Sequence, residues 1–278
     1  MNAIVTGAGG FLGRALLAAL RASGCAVLAP TRVELDWRDG AAVALFIAAT
    51  DATTLYHLAS SGVGNPNADD PAILADELAM ARAIAAAAPA GMRIVYAGSM
   101  AEYGRAGRLA ETGVVAPRNF YARAKLEAGR ILADESRASV VHARLFGLYG
   151  PGEAAGRLLP AITTALRNGR AIPLSDGLQR RDFVHVEDAA RALIALGELA
   201  EAPTIVNVGT GIALEVRAVA LALAHELGAD PALLQFGARA RSPHDQDVLE
   251  ADTALLAASI GWVPPQRLAR SPALPGVG

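Results

Sequence analysis

The chain has 278 residues, 53% of them hydrophobic, enough for one large domain or two interlocked ones. Its 25 basic and 27 acidic residues leave a formal charge of -2, with no cationic excess to neutralise a nucleic-acid backbone. The single cysteine, Cys25, excludes an intramolecular disulfide and a multi-cysteine zinc site. No uninterrupted apolar run reaches the roughly 20 residues that span a bilayer. MNAIVTGAGG has no basic region and apolar stretch ahead of a cleavage site. The expectation is a soluble, cytoplasmic protein that binds neither nucleic acid nor membrane.

In chain order, short apolar runs alternate with longer amphipathic ones, the pattern of βα units around a parallel sheet. AIVT reads as a strand, and after a glycine-rich turn FLGRALLAALRASG is helical, stopping at Ser23-Gly24. CAVLA predicts a second strand, with Cys25 a small core residue rather than a reactive thiol. AAVALFIAA predicts a helix and TTLYHLA a third strand. Pro71 opens a helix over PAILADELAMARAIAAAA, apolar on one face. MRIVYAGS predicts a fourth strand, YARAKLEAGRILADES a helix, and SVVHARLFG a fifth strand whose β-branched run suits burial on both faces. Beyond Gly150-Pro151-Gly152 the rhythm is less regular. RLLPAITTALRNG, EDAARALIALGEL and EVRAVALALAHELG read as helices, DFVHV and TIVNVG as strands. His185, inside DFVHV, is expected to be a satisfied core residue. The closing PPQRLARSPALPGVG is rich in proline and glycine and is expected to fray.

TGAGGFLG sets Gly7, Gly10 and Gly13 three apart, directly after the first strand and at the head of a helix. Glycine permits the tight turn and the close backbone approach such a site needs. The helix N-terminus then offers unpaired N–H groups and a positive dipole end to a pyrophosphate. In this βα context the pattern points to dinucleotide binding in a doubly wound sheet. An NAD site usually carries an acid after the second strand, for the ribose 2′-hydroxyl. Here that tip offers Thr31 and Arg32, and an arginine can pair a 2′-phosphate in a fork. The expected cofactor is therefore NADP or NAD, with NADP favoured. Asp36, a few residues on, is placed to hold the ribose or the adenine.

FYARAK puts Tyr121 four residues before Lys125, on one helix face. Taken alone, such a pair is usually solvated packing. Its meaning comes from its neighbours in the sequence.

With these motifs in this order, the chain resembles the extended short-chain dehydrogenase/reductase family, of the NAD-dependent epimerase/dehydratase type. TGAGGFLG looks like that family's glycine motif, and LYHLAS like its strand-end segment beside the cofactor. YAGSMAEYG resembles the strand ending in the catalytic serine. Glu111, Pro117, Tyr121 and Lys125 look like its Glu, Pro, Tyr-x-x-x-Lys series. RLFGLYGPG, RDFVHVEDAARAL, NVGTG and ADTALLAASIGWVP follow as in the family. The resemblance implies an α/β fold, a Rossmann-type doubly wound parallel sheet with a small C-terminal substrate-binding lobe. Residues 1–150 would bind the dinucleotide, with 181–207 returning to that domain, and 151–180 and 208–278 would form the lobe. It implies an enzyme in which Ser99, Tyr121 and Lys125 are catalytic. Gly7, Gly10, Phe11, Leu12, Gly13, Arg32, Asp36, Leu58, Ala59, Ser60, Tyr121 and Lys125 would contact the cofactor. A free tyrosine titrates at ~10, and a cationic Lys125 would favour its phenolate. Lys125 would also hold the nicotinamide ribose, and Ser99 the substrate oxygen.

On the same resemblance the substrate is a nucleotide-linked sugar, contacted by Ser99, Met100, Gly147, Arg181 and Arg241. Arg181 would meet its diphosphate, with Arg239 and Arg241 in ARARSPHD as further candidates. Two departures narrow the chemistry. Gly147 stands where the family often has an asparagine. Met100 and Ala101 stand where the dehydratase branch carries an Asp-Glu pair, and neither can act as acid or base, which argues against 4,6-dehydration. The chain is also short for the epimerase branch, and Pro272 and Pro275 forbid a long final helix. The leading expectation is a ketoreductase that uses NADPH on a keto-sugar nucleotide. The alternatives are a 4-epimerase that retains its NAD, and a non-catalytic dinucleotide sensor. A homodimer through the helix bearing Tyr121 and the helix before it is implied by the resemblance alone.

Overall fold

A computed structural model describes residues 2–61, 70–242 and 245–268. The first half alternates strand and helix: β1 (Asn2–Thr6), α1 (Phe11–Ala22), β2 (Ala26–Leu28), α2 (Gly40–Ala48), β3 (Thr54–His57), α3 (Pro71–Ala87) and β4 (Arg93–Ser99). A 3₁₀ turn over Met100–Tyr103 and a short β5 (Gly107–Leu109) lead to α4 (Phe120–Glu135), β6 (Ser139–Leu145) and β7 (Gly147–Tyr149). Then come α5 (Leu158–Arg167), β8 (Ile172–Leu174), β9 (Arg180–His185), α6 (Val186–Glu198) and β10 (Ile205–Val208). The last elements are β11 (Ala213–Glu215), α7 (Val216–Glu226), β12 (Leu234–Phe236), β13 (Val248–Ala251) and α8 (Ala254–Ile260).

The central sheet has the order β10-β6-β4-β3-β1-β2, and each neighbouring pair is parallel. The chain leaves β1 in one direction to β2 and in the other to β3. The switch point of this doubly wound α/β fold therefore lies between β1 and β3, where such sheets bind ligands at their carboxyl ends. β3 is buried along its whole length and β6 over all but its first residue. Helices cover both faces, so these strands read as continuous apolar runs. On one face Leu16 and Leu20 of α1 pack with Leu193 and Leu196 of α6. On the other, Ile47, Ile84 and Leu132 bring α2, α3 and α4 together. Asp39, Asp70 and Asn119 cap α2, α3 and α4 by accepting from N–H groups of the first turn, so polar residues mark the starts that hydrophobic periodicity leaves open.

A second sheet, β11-β9-β13-β5, carries β7 beside β9. β8 and β12 form a separate ribbon under α5 and α7, closed by Ile162, Leu166, Ala220 and Leu234. Within 180–208, β9 lies in the second sheet, whereas α6 packs on α1 and β10 joins β6 in the central one. Among the described residues no helix is long and apolar enough to cross a membrane. Pro272 and Pro275 lie outside the described residues. His185 is not a satisfied core residue: it is half-buried at the end of β9, edge-on to Tyr149, and its Nδ1 has no hydrogen-bond partner among the described residues. The ring sits where β9 turns into α6, so its near neighbour is the Glu187 carboxylate at 3.6 Å.

Candidate active site

The glycine turn closes the β1/β3 switch point. Gly7 has φ +67°, and a Cβ there would stand 2.7 Å from the Ala59 nitrogen. A Cβ on Gly13 would collide with the Gly7 carbonyl oxygen at 2.2 Å, so α1 can seat on the turn only with glycine at 13. Thr6 locks the partner strand: its hydroxyl accepts from the N–H groups of Leu58 and Ala59 and lies 2.9 Å from His57 Nδ1. Leu58, Ala59 and Ser60 thus border the turn, and the buried Ser60 hydroxyl has no partner among the described residues. Arg14 fastens this turn to a distant one, donating to the carbonyls of Gly9 and Gly152. Phe11 is half-buried and Leu12 buried in the first turn of α1.

Arg32 is exposed beyond β2. The Arg38 guanidinium, hydrogen-bonded to both Asp36 carboxylate oxygens, holds that carboxyl down to about 2. Arg38 also reaches Asp76 on α3, 2.9 Å away.

Ser99 ends β4 and caps the 3₁₀ turn, its hydroxyl accepting from Ala101 N–H at 3.2 Å. Tyr121 lies half-buried in the first turn of α4, and Lys125 one turn on is 2% exposed. The Lys125 ammonium lies 5.2 Å from the centre of the Tyr96 ring, and the Tyr96 hydroxyl donates to the Lys125 carbonyl. Lys125 Nζ pairs with Glu77 Oε2 at 3.3 Å, both side chains nearly free of solvent.

Beneath Ser99 lies a second buried carboxylate. Glu102 accepts from the Ser99 N–H at 2.8 Å and from Arg144 Nε at 2.8 Å, and lies 2.9 Å from His142 Nε2. Burial opposes its ionisation, but His142 and Arg144 outweigh that and its carboxyl titrates below the usual range. Gly98 and Gly129 make room for the imidazole, since a Cβ on either would stand 2.3 Å from it. Glu77, Glu102 and His142 are absent from the sequence reading. Each pairs with a residue at least 40 positions away or across a strand, a distance at which no spacing rule operates.

Of the expected substrate residues, Gly147 and Arg181 lie in the second sheet, Ser99 and Met100 at the end of β4, and Arg241 in the loop after β12. Met100 begins the 3₁₀ turn beside Ser99. Gly147 lies where β7 meets β9, and a Cβ there would stand 2.9 Å from the Asp182 carbonyl oxygen, which explains why no asparagine occupies the position. Arg181 is ion-paired with Asp245, and Arg241 with Asp176 at 2.6 Å and Asp247 at 2.8 Å. Arg239 is exposed. Among the described residues no group of three or more His, Cys, Asp or Glu could hold a metal ion.

A cradle that a Cβ would fill, at the head of a helix, together with the unpartnered Ser60 hydroxyl beside it, fits a dinucleotide pyrophosphate. Such a fold, with a serine at a strand end and a Tyr–Lys pair on the next helix, defines an NAD(P)-dependent enzyme of the short-chain dehydrogenase/reductase class. The sequence model of the NAD dependent epimerase/dehydratase family matches residues 3–209, and the chain belongs to that family. It is 29% identical to a dTDP-6-deoxy-L-talose 4-dehydrogenase (NAD(P)(+)) of Kitasatospora kifunensis, over 95% of this chain and 91% of that protein. It is 28% identical to a GDP-L-fucose synthase of Azorhizobium caulinodans, over 77% of this chain and 76% of the relative. Among solved structures, MoeE5 in complex with UDP-glucuronic acid and NAD superposes with a TM-score of 0.82 at 25% identity, over 98% of this chain and 96% of that one.

Proposed function

We propose that the protein reduces a keto group on a nucleotide-linked deoxysugar, drawing on NADPH in preference to NADH. The observation that carries this reading is the set Ser99, Tyr121 and Lys125 on adjoining elements, with Met100 and Ala101 where elimination would need an acid and a base. When bound, the nicotinamide supplies the hydride. Gly7, Gly10 and Gly13 hold the pyrophosphate, Leu58 to Ser60 flank it, and Asp36 and Arg32 meet the adenosine end. Ser99 holds the substrate carbonyl oxygen, and Tyr121 gives that oxygen its proton as the carbon is reduced. Lys125 holds the nicotinamide ribose and eases the phenol's loss of its proton. Arg181 and Arg241 meet the diphosphate, exchanging carboxylate partners for phosphate oxygens. Work in the cytoplasm as a homodimer through α3 and α4 belongs to the same reading and is carried by the resemblance.

The test supplies purified protein and NADPH or NADH with dTDP- and UDP-linked 4-keto-6-deoxyhexoses. The expected result is cofactor oxidation that depends on the keto-sugar. Tyr121→Phe should slow it by about 10²–10⁴-fold, the usual worth of a proton donor, and leave dinucleotide affinity nearly unchanged. Interconversion of two sugars without net cofactor turnover would replace the reductase with a 4-epimerase that keeps its NAD. Tight dinucleotide binding with no turnover of any sugar would leave a sensor.

A further inference from the structure

Glu77 has no part in the chemistry described so far, yet it touches that chemistry directly. It lies in the second turn of α3 and is fully buried. Oε2 is 3.3 Å from Lys125 Nζ, and Oε1 accepts from the Ser61 N–H at 3.2 Å. One carboxylate thus binds the lysine and the chain just past Leu58, Ala59 and Ser60. A buried ion pair adds little net stability compared with apolar residues of the same volume. Stability alone is therefore a poor reason for a carboxylate at this place.

We propose that Glu77 is a positioning residue for the Tyr121–Lys125 pair: its carboxylate fixes the ammonium, ties it to the turn beside the glycine loop, and offsets part of the positive charge that the phenol faces. The inference rests on the reading in which Tyr121 is the proton donor. Among the described residues, His57 of β3 and Tyr96 of β4 face this pair, and Glu102 of the 3₁₀ turn and His142 of β6 lie behind them, against Tyr96. Burial first, and then Lys125, push His57 down to about 3, so it stays neutral near pH 7. Burial raises the Tyr96 phenol well above its ordinary value, and Glu77 and Glu102 add to that. Glu102 is held as an anion by His142 and Arg144. Glu77 is thus the carboxylate in direct contact with the ammonium.

Without that anion, the first proton leaves the Tyr121–Lys125 pair at lower pH, whichever member loses it. Reduction needs the phenol protonated and the lysine charged, so its alkaline loss of rate moves to lower pH. The first readout is the phenolate absorbance of ligand-free protein, with Tyr121→Phe subtracted. Of the five tyrosines, burial pushes up Tyr56, Tyr96, Tyr103 and Tyr149, which keeps their signals out of the way. In Glu77→Gln, or Glu77→Asn if the glutamine variant does not fold, the Tyr121 signal should appear about 1 pH unit lower, the size of shift a close buried charge produces. The alkaline limb of the rate should move with it. Glu77→Asp keeps the charge and should titrate as wild type. An unmoved titration in a folded neutral variant, or an aspartate variant shifted as far as the glutamine one, would overturn the inference. Wild-type protein that turns over no keto-sugar would sink the reductase reading alone, because the absorbance titration needs no turnover.

Discussion

In the reading proposed above, Arg32 sets the preference between the two dinucleotides as a single exposed side chain. A guanidinium on a 2′-phosphate makes charge-assisted hydrogen bonds worth roughly 1.5–3 kcal/mol. Arg32→Ala should therefore weaken NADP binding by about 10- to 100-fold, and NAD binding by less than about twofold. Calorimetric titration with both dinucleotides checks this; equal losses for the two would remove Arg32 from the specificity site. At this scale the sequence is most legible where chemistry depends on local spacing. Gly7, Gly10 and Gly13 sit within one turn, and Tyr121 and Lys125 within one turn of one helix. Glu77 escapes such reading because its partner is 48 positions away, and a glutamate inside an amphipathic helix ordinarily marks a solvated face. Gly147 shows the reverse case, a departure from a family pattern that acquires a steric reason only once β7 and β9 are side by side.

The segment from β4 through the 3₁₀ turn is held from below by charge. Glu102 anchors the Ser99 N–H and is itself held by Arg144 and His142. Its carboxyl titrates lower in the folded protein than in the unfolded chain. The stability this contributes is present above the unfolded value, near 4.5, and is lost as pH falls through the folded one. Glu102→Gln leaves Arg144 buried without its anion, which should cost about 3–5 kcal/mol near pH 7. The gap from wild type should narrow below roughly pH 4.5, where the wild-type carboxylate also takes up its proton. Urea unfolding at several pH values measures this; a gap that does not change with pH would contradict the ionic account. The principal elements are legible because periods of 2 and 3.6 separate strands from helices. The strands β5, β7, β8, β11 and β12 have three residues each, too few for any period to show.

For the molecule as a whole, Asp182 joins the two sheets. From β9 it accepts from Thr210 N–H and hydroxyl and from Gly211 N–H, just past the end of β10, and from Ala251 N–H in β13. Asp182→Ala would leave these buried donors unpaired, each at about 1–3 kcal/mol. The variant should lose about 3 kcal/mol or more in urea unfolding, and amide exchange in β9 and β13 should rise before exchange in β1, β3 and β4. Uniform exchange across both sheets would mean that Asp182 does not join them. NVGTG is legible as a segment of the family's series, but the acid that fills the joint comes from another strand, 28 positions earlier. The antiparallel and parallel pairings of the second sheet likewise depend on long-range contacts that local pattern does not encode.

β2 and β10, the outer strands of the central sheet, have three and four residues, and α8 packs against β10. The terminal strands of the second sheet, β11 and β5, have three each. Open strand margins are the usual templates for runaway cross-pairing between chains, and margins this short offer little to copy. Among the described residues the strand margins therefore give a neighbouring chain little to pair with, which works against the growth of filaments by edge-to-edge addition.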